Sequence, residues 1–418
     1  MEEKRDIQPA RTVEANRAQM RLVPLDLEGM LPEDHQARAV WAFVERLDLG
    51  EFYDRIASRE GSAGRPATDP RIYLALWIEA MLDGVGAARE IERLCQYHLA
   101  YQWICGGVGI NHHSLSDFRN QSADLLSELL TQSVSILMRE GLVEVRRVAQ
   151  DGMKVRASAG ASSFRTRGKL EKIARQQVER LAREMEQDPG AASKREQSAR
   201  QQAAENRNKR IQRALEEMNE AEGRKGSPNG KKKSEPRTSV TDPEARVMKM
   251  PDGGFRPAYN VHLSTETEAR LIVAVAVNNE GTDSRTMVPL AEQIEHRHQI
   301  RPTEWLADGG CTSLQNIDAM SKRGCKVFAP LRKRQRPDRK PTDVRRGDSK
   351  AVQEWRSRME TEQAKSIYRE RGATAEWVNA QFRNQGLIRL LVRGTKKVLA
   401  VVLVHALANN MRRSWALG

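Results

Sequence analysis

Cysteine is scarce in this chain, with four in 418 residues. Cys95, Cys105, Cys311 and Cys325 form no C-x-x-C pair and stand in no Cys/His cluster. That spacing excludes a disulfide framework and a structural zinc site, and reads as reduced thiols of a cytoplasmic protein. Long hydrophobic runs are also missing. The most apolar stretch, Val398 to Ala408, is too short to span a bilayer and reads as a buried helix or strand. The first residues, Met1-Glu2-Glu3-Lys4-Arg5-Asp6, lead into polar sequence and carry no secretory signal. Acid is in deficit too, at 56 Asp and Glu against 70 Lys and Arg, a formal net charge of +14. A basic excess of that size points to a polyanionic partner. Hydrophobic residues, at 39%, suffice for a packed but lean core.

The stretch around which the chain is organised is Val145-Arg146-Arg147-Val148-Ala149-Gln150-Asp151-Gly152. It reads as a short strand ending in a carboxylate, with glycine as the break. Upstream, residues 30–140 form an all-helical module. Pro32-Glu33-Asp34 opens a helix carrying Val40, Phe43, Val44 and Leu47. Asp69-Pro70 is an N-cap followed by proline in the first turn of a second helix, with Ile72, Leu76, Trp77 and Met81. A third helix follows Gly84-Val85-Gly86. Ser114 or Ser116 is expected to cap a fourth that runs through Leu125, Leu129, Val134 and Leu137. Tyr97, Tyr101 and Trp103 suggest an aromatic cluster. Arg89, Arg93 and Arg119 fall on or near helix ends, where they suit DNA phosphates, although charged outer faces of packed helices give the same pattern. His112-His113 has no further ligand nearby and reads as a loop.

Composition shifts at 160–240, where Arg, Lys, Glu, Gln and Ala dominate. Leu170, Ile173, Val178, Leu181 and Met185 form one helical stripe. Asp188-Pro189-Gly190 breaks it, and Ile211, Leu215 and Met218 mark a weaker second stripe. An inserted antiparallel helical hairpin is expected, ending in a basic loop at 224–233. Beyond Asp242-Pro243, Tyr259, Val261 and Leu263 alternate as a half-buried strand. Leu271, Val273, Val275 and Val277 suggest a central strand. Residues 284–300 read as a helix. Thr303 to Gly310 reads as a second strand ending in Asp-Gly, at Asp308. A short helix at Ile317 and Met320, a strand at 326–330, a basic loop at 331–350 and a long helical region from Val352 complete the order.

Acids on two neighbouring strand ends, with a third on a facing helix, can hold two divalent cations through hard oxygen ligands, Mg²⁺ or Mn²⁺. Such a pair serves phosphodiester chemistry. Read alone, Glu376 fits an ordinary helix-surface acid better than a ligand, Glu370 competes with it, and Asp283 and Asp318 read as caps.

Four segments in this order resemble the DDE transposases of bacterial insertion sequences: Val148-Ala149-Gln150-Asp151-Gly152; Asp242-Pro243-Glu244-Ala245-Arg246 through Ala258-Tyr259-Asn260-Val261; Leu306-Ala307-Asp308-Gly309-Gly310; and Tyr368, Arg371, Glu376 and Arg383. The last set is similar to the Tyr-Arg-Glu-Lys signature of one group of these enzymes, with Arg383 where lysine is usual. The segment from Pro70 to Arg119 resembles that group's N-terminal domain. The resemblance implies an α/β fold, a ribonuclease-H-like mixed sheet flanked by helices. In it a helical DNA-binding domain spans 1–140 and a catalytic domain spans 141–418, interrupted by the insertion at 160–240. It also implies that Asp151, Asp308 and Glu376 are the catalytic, metal-binding acids and that Tyr368, Arg371 and Arg383 contact DNA. The cofactor would be two Mg²⁺ or Mn²⁺ ions. The partners would be element-end and target DNA and further copies of the chain, with no membrane and a cytoplasmic, nucleoid-associated location. The activity implied is cleavage of element ends and their joining to target DNA. A ribonuclease-H-like nuclease without strand transfer and a non-catalytic DNA-binding remnant are the alternatives.

Overall fold

The computed structural model describes residues 18, 26–59, 61, 65–186, 194–223, 235–331 and 341–417. The basic loop at 224–233, the break at Asp188-Pro189-Gly190, most of the first 25 residues and much of the loop at 331–350 lie outside them.

Seven helices come first: α1 (Gln36–Glu45), α2 (Gly50–Asp54), α3 (Pro70–Leu82), α4 (Ala88–Tyr97), α5 (Leu99–Cys105), α6 (His112–Gln121) and α7 (Ala123–Arg139). The α3 start is as read from sequence. Asp69 caps it by accepting from the Arg71 N–H, and Pro70 takes the first position, where a missing N–H costs nothing. The expected fourth helix is two. Asn111, rather than a serine, caps α6, and the chain turns at Ser122 into α7. His112 and His113 open α6 instead of lying in a loop, and His112 Nδ1 pairs with Glu92 at 2.7 Å. Tyr97 is three-quarters exposed and stays outside the aromatic cluster, in which Trp103 meets Trp41 edge-on.

The sheet opens with β1 (Arg147–Arg156). The tiny pair β2 (Phe164–Arg165) and β3 (Thr238–Ser239) brackets the hairpin α8 (Arg167–Glu186) and α9 (Lys194–Gly223). The hairpin is where the composition put it, and Leu170 packs on Ala214 and Met218 between its arms. Then come β4 (Arg246–Lys249), β5 (Phe255–Glu266), β6 (Ile272–Asn278), α10 (Met287–His298), β7 (Glu304–Leu306), α11 (Leu314–Lys322), β8 (Lys326–Phe328), α12 (Lys350–Arg358), α13 (Glu362–Arg371), α14 (Trp377–Asn384) and α15 (Thr395–Leu417). Five strands run in the order β4-β5-β1-β7-β8, and β6 pairs with β5 beside β4. The β1–β5 pairing is antiparallel, and β1–β7–β8 are parallel. This is the mixed, helix-flanked sheet of a ribonuclease-H-like α/β fold.

β6 is an edge strand, although its apolar run suggested a central one. The run is explained by its two covered faces, since Val273 and Ala274 pack in the cluster with α10 while Ile272 and Val275 pack in the cluster with α15. Its free edge is closed by a side chain. Asn410 of α15 accepts from the Ile272 N–H at 2.8 Å and donates to its carbonyl at 2.9 Å. One asparagine so occupies a backbone position that would otherwise invite another strand. α15 carries the closing apolar segment and packs on α3, α6, α7 and β6, so the core of the first seven helices is continuous with it. No helix of the described residues is long and apolar enough to cross a membrane.

Asn410→Leu is expected to leave a buried N–H and a buried carbonyl unpaired. The loss of unfolding free energy in urea should be about 2–4 kcal/mol. A change below about 0.5 kcal/mol would mean that the edge does not depend on this side chain.

Candidate active site

Asp151 sits two residues past Ala149, which pairs with Leu306 of β7. Asp308 follows two residues after Leu306, and its charge reaches Asp151. Alternation along β1 then divides its side chains between the two faces. On one face, Gln150 is fully buried and satisfied at both ends. Its amide donates to Thr286 at 2.8 Å and accepts from the Trp305 indole at 3.0 Å. On the other face, Asp151 meets the helical run that follows α13.

Arg371 Nη2 donates to Asp151 Oδ1 at 2.9 Å, and Asn379 Nδ2 donates to Oδ2 at 2.8 Å. These two residues are eight apart. In an unbroken α-helix they would point about 80° away from each other. The segment Gly372–Glu376 between them is a π-turn, which absorbs one extra residue and cuts that angle to about 20°. The same turn brings Tyr368, Arg371, Glu376, Asn379 and Arg383 into one stripe about 80° wide. Without it, the five would spread over about 140°, with Arg371 and Glu376 at the two extremes. Small residues, Gly372-Ala373-Thr374-Ala375, make the turn, and Thr374 and Ala375 bury against the sheet.

The electrostatics follow from this packing. Burial pushes the Asp151 carboxyl above its usual range; Arg371 and the Gly152 N–H pull it back, and Asp308 pushes it further up. Arg371 is pulled down by burial, but Asp151, then Tyr368 and Asp308, outweigh that and hold it above its ordinary value. The Tyr368 hydroxyl, half-buried, is raised by burial, lowered by Arg371 and raised by Asp308. Asp308 Oδ1 accepts from the Gly310 and Cys311 N–H groups at 2.8 and 2.9 Å, which fixes its carboxylate at the strand end. Burial and the three acids Asp308, Asp283 and Asp151 keep the Cys311 thiol protonated.

Asp283, read from sequence as a cap, converges on the same strand ends. Its Oδ1 lies 2.9 Å from where a Cβ on Gly152 would stand, and its Oδ2 3.6 Å from one on Gly310. Asn260 donates to it, and the buried His262 ring lies 3.9 Å away. Burial lowers the His262 pKa and keeps the ring neutral. Asn379, Gln150 and Asp283 were missed because nothing local marks them. The one available signal was Asn379 at helical spacing from Glu376.

Glu376 lies on the stripe but is exposed, and folds back so that Oε1 is 3.7 Å from the position of a Cβ on Gly372. Among the described residues no three acidic, histidine or cysteine side chains stand close enough to hold a metal ion. Glu370 is spoken for. Together with Glu304 it pairs with Arg147, four residues along β1 and roughly 13 Å from Asp151. Arg383 and Arg89 are exposed, with no ion pair among the described residues. Arg93 is exposed and bonds Glu90 of its own helix. Arg119 is buried and stacks on the Trp77 ring, so it does not stand on the outer face of the helices. The segment Asp242 to Val261 has a structural part: Tyr259 donates to Asp242 at 2.7 Å, and Asp242 also takes the Gly394 N–H just before α15.

Arg371→Met should leave Asp151 buried without its cation and cost about 3 kcal/mol at neutral pH. Asp151 would then titrate higher still in the folded state. Because a protonated Asp151 needs no cation, the deficit against wild type should shrink as pH falls toward about 4, the unfolded value. Urea melts across pH would check this, and a deficit independent of pH would mean the loss is packing alone.

Residues 25–121 match the family model of a transposase domain (DUF772), and residues 235–411 match that of the transposase DDE domain. Asp308 and Glu376 fall inside the second match, while β1 with Asp151 lies between the two. No curated protein and no solved structure matches the chain. With both transposase domains in order and the mixed sheet of that core, the chain belongs to the DDE transposases of insertion sequences.

Proposed function

We propose that the chain cuts the ends of an insertion sequence and joins them to target DNA, with Asp151, Asp308 and Glu376 as its catalytic acids. The observation that supports this best is the neighbouring pair Asp151 and Asp308 beneath a π-turn stripe that carries Glu376. In kind these residues fit Mg²⁺ or Mn²⁺, since they offer only carboxylate oxygens and the neighbouring Cys311 thiol stays protonated. Two such ions, once bound, would activate the attacking hydroxyl and stabilise the leaving oxygen of a phosphodiester.

The chain's own residues set the stage for that chemistry. Arg371 balances the Asp151 charge and holds the helix stripe on the sheet. Asn379 orients the second Asp151 oxygen. Asp308 is fixed by two backbone donors and keeps its other oxygen for a ligand. Tyr368, beside Arg371 and Asp308, is placed to orient a phosphate. Arg383 on the stripe and Arg89 and Arg93 on the N-terminal helices would hold the DNA backbone, which is the partner a charge of +14 favours. Two element ends must be processed together, so a dimer or larger assembly is the working unit, acting on the nucleoid.

The test is Mg²⁺-dependent cleavage and joining of element-end DNA by wild type and by Asp151→Ala, Asp308→Ala and Glu376→Ala. Each substitution should lower cleavage by roughly 100-fold or more while DNA binding is kept. Normal cleavage by Glu376→Ala would remove it from the set and make Asp283 the next acid to test. Cleavage by wild type without joining would favour a nuclease, and binding without cleavage a remnant.

A further inference from the structure

Where α3, α6, α14 and α15 meet, a cavity of about 170 Å³ opens, several times the roughly 30 Å³ share of one water molecule. Three of the side chains that line it are more than nine-tenths buried. Arg119 is 4% exposed, Gln385 5% and His405 3%. None is satisfied. Both amide atoms of Gln385 and Nδ1 of His405 are buried with no hydrogen-bond partner. Arg119 stacks on the Trp77 ring at 4.0 Å, and its bonds to the Gly86 carbonyl and to Asn120 are both long, at 3.4 Å. No carboxylate lines the cavity. A second arginine, Arg389, stands at the rim, exposed beside the exposed Leu391, so the space is reachable from solvent.

A buried guanidinium without an acid, next to an unpaired amide, is an expensive arrangement for an empty core. The usual remedies are absent. Gly386, at φ +84°, approaches Gly84 so closely that a Cβ there would stand 2.9 Å from the Gly84 carbonyl oxygen. The two loops are therefore locked together and cannot close over the cavity by inserting a side chain. Burial and the neighbouring Arg119 also hold His405 neutral, with its pKa down to about 3, so its ring nitrogen can donate or accept without adding charge.

We infer that this cavity is a binding site for a single phosphate group, held by Arg119 and Arg389 with the Gln385 amide and His405 as neutral hydrogen-bonding partners. Guanidinium forks match the oxygens of a tetrahedral oxyanion, and the ligand would supply the one thing the lining lacks, negative charge. The group is either free phosphate or a backbone phosphate of bound DNA. The site is distinct from the acids Asp151 and Asp308, with which none of its residues is shared. Only its DNA form rests on the function proposed above.

Gln385→Leu separates a built site from a structural void. Replacing an unpaired buried amide with an apolar group of similar size should leave the melting temperature without ligand equal or higher. Inorganic phosphate, compared with chloride at equal ionic strength, should raise the wild-type melting temperature saturably by about 2 °C or more, and Gln385→Leu should lose that rise. In parallel, duplex DNA binding is followed against salt. If the phosphate belongs to DNA, the slope of log affinity against log salt should fall by about one in Gln385→Leu. Residue 385 carries no charge, so such a change reports loss of the phosphate seat and not of a surface cation. An unchanged slope with a phosphate rise lost in the variant assigns the site to free phosphate. An equal rise in both proteins, or no rise together with an unchanged slope, overturns the proposal. Cleavage chemistry at Asp151 and Asp308 would survive that failure, since it does not use Gln385.

Discussion

One carboxylate holds the two halves of the site together. Asp151 projects from the middle of β1, and its two oxygens are taken by Arg371 and Asn379 from a single helical run. A buried acid is costly unless it is paired and hydrogen-bonded, and here both requirements are met by residues 220 positions or more away in sequence. That contact sets where the helix stripe lies on the sheet. It therefore sets where Tyr368, Glu376 and Arg383 can reach. The π-turn is the device that makes it possible, because a plain helix would offer Asp151 either Arg371 or Asn379 but not both. π-turns are rare and recur at functional sites, which is the pattern here.

The rest of the fold supplies a frame for that contact. β1 is paired on both sides, by β5 and by β7, so Asp151 cannot shift without breaking two ladders. Gln150, bonded to Thr286 and Trp305, locks the opposite face of the same strand. At the far side of the sheet, α15 closes the β6 edge through Asn410 and joins the helical N-terminal module to the core. The charged hairpin of α8 and α9 leaves the sheet after β2 and returns at β3, so it interrupts the sequence of the core without entering its sheet.

Local chemistry made much of this legible. Asp69-Pro70 announced α3, compositional contrast announced the hairpin, and two Asp-Gly steps pointed to Asp151 and Asp308, although β1 does not end at Asp151 as read but runs on through Gly152 to Arg156, paired with β5 throughout. What sequence could not give was set by packing at long range. Ser122 ends a helix with no glycine or proline to mark it. Arg119 has the look of a surface cation, yet it stacks on Trp77 in the core. Val273 and Val275 suggest a central strand because α10 and α15 cover both faces of an edge. Asn379 is an ordinary residue until the π-turn brings it to Asp151, and Asp283 is one until the connection from β6 to α10 sets it beside Gly152 and Gly310. Glu376 is the residue on which sequence and structure differ most in emphasis: its signature context singles it out, while the structure leaves it exposed on the stripe.

The central claim is that Asp151 and Asp308 act as one divalent-ion site. The most direct measurement is Mn²⁺ binding, followed by electron paramagnetic resonance on protein bound to an element-end duplex, in wild type, Asp151→Asn and Asp308→Asn. The account predicts protein-bound Mn²⁺ in wild type and its loss in either variant, with DNA still bound. Equal Mn²⁺ binding in all three proteins would contradict it.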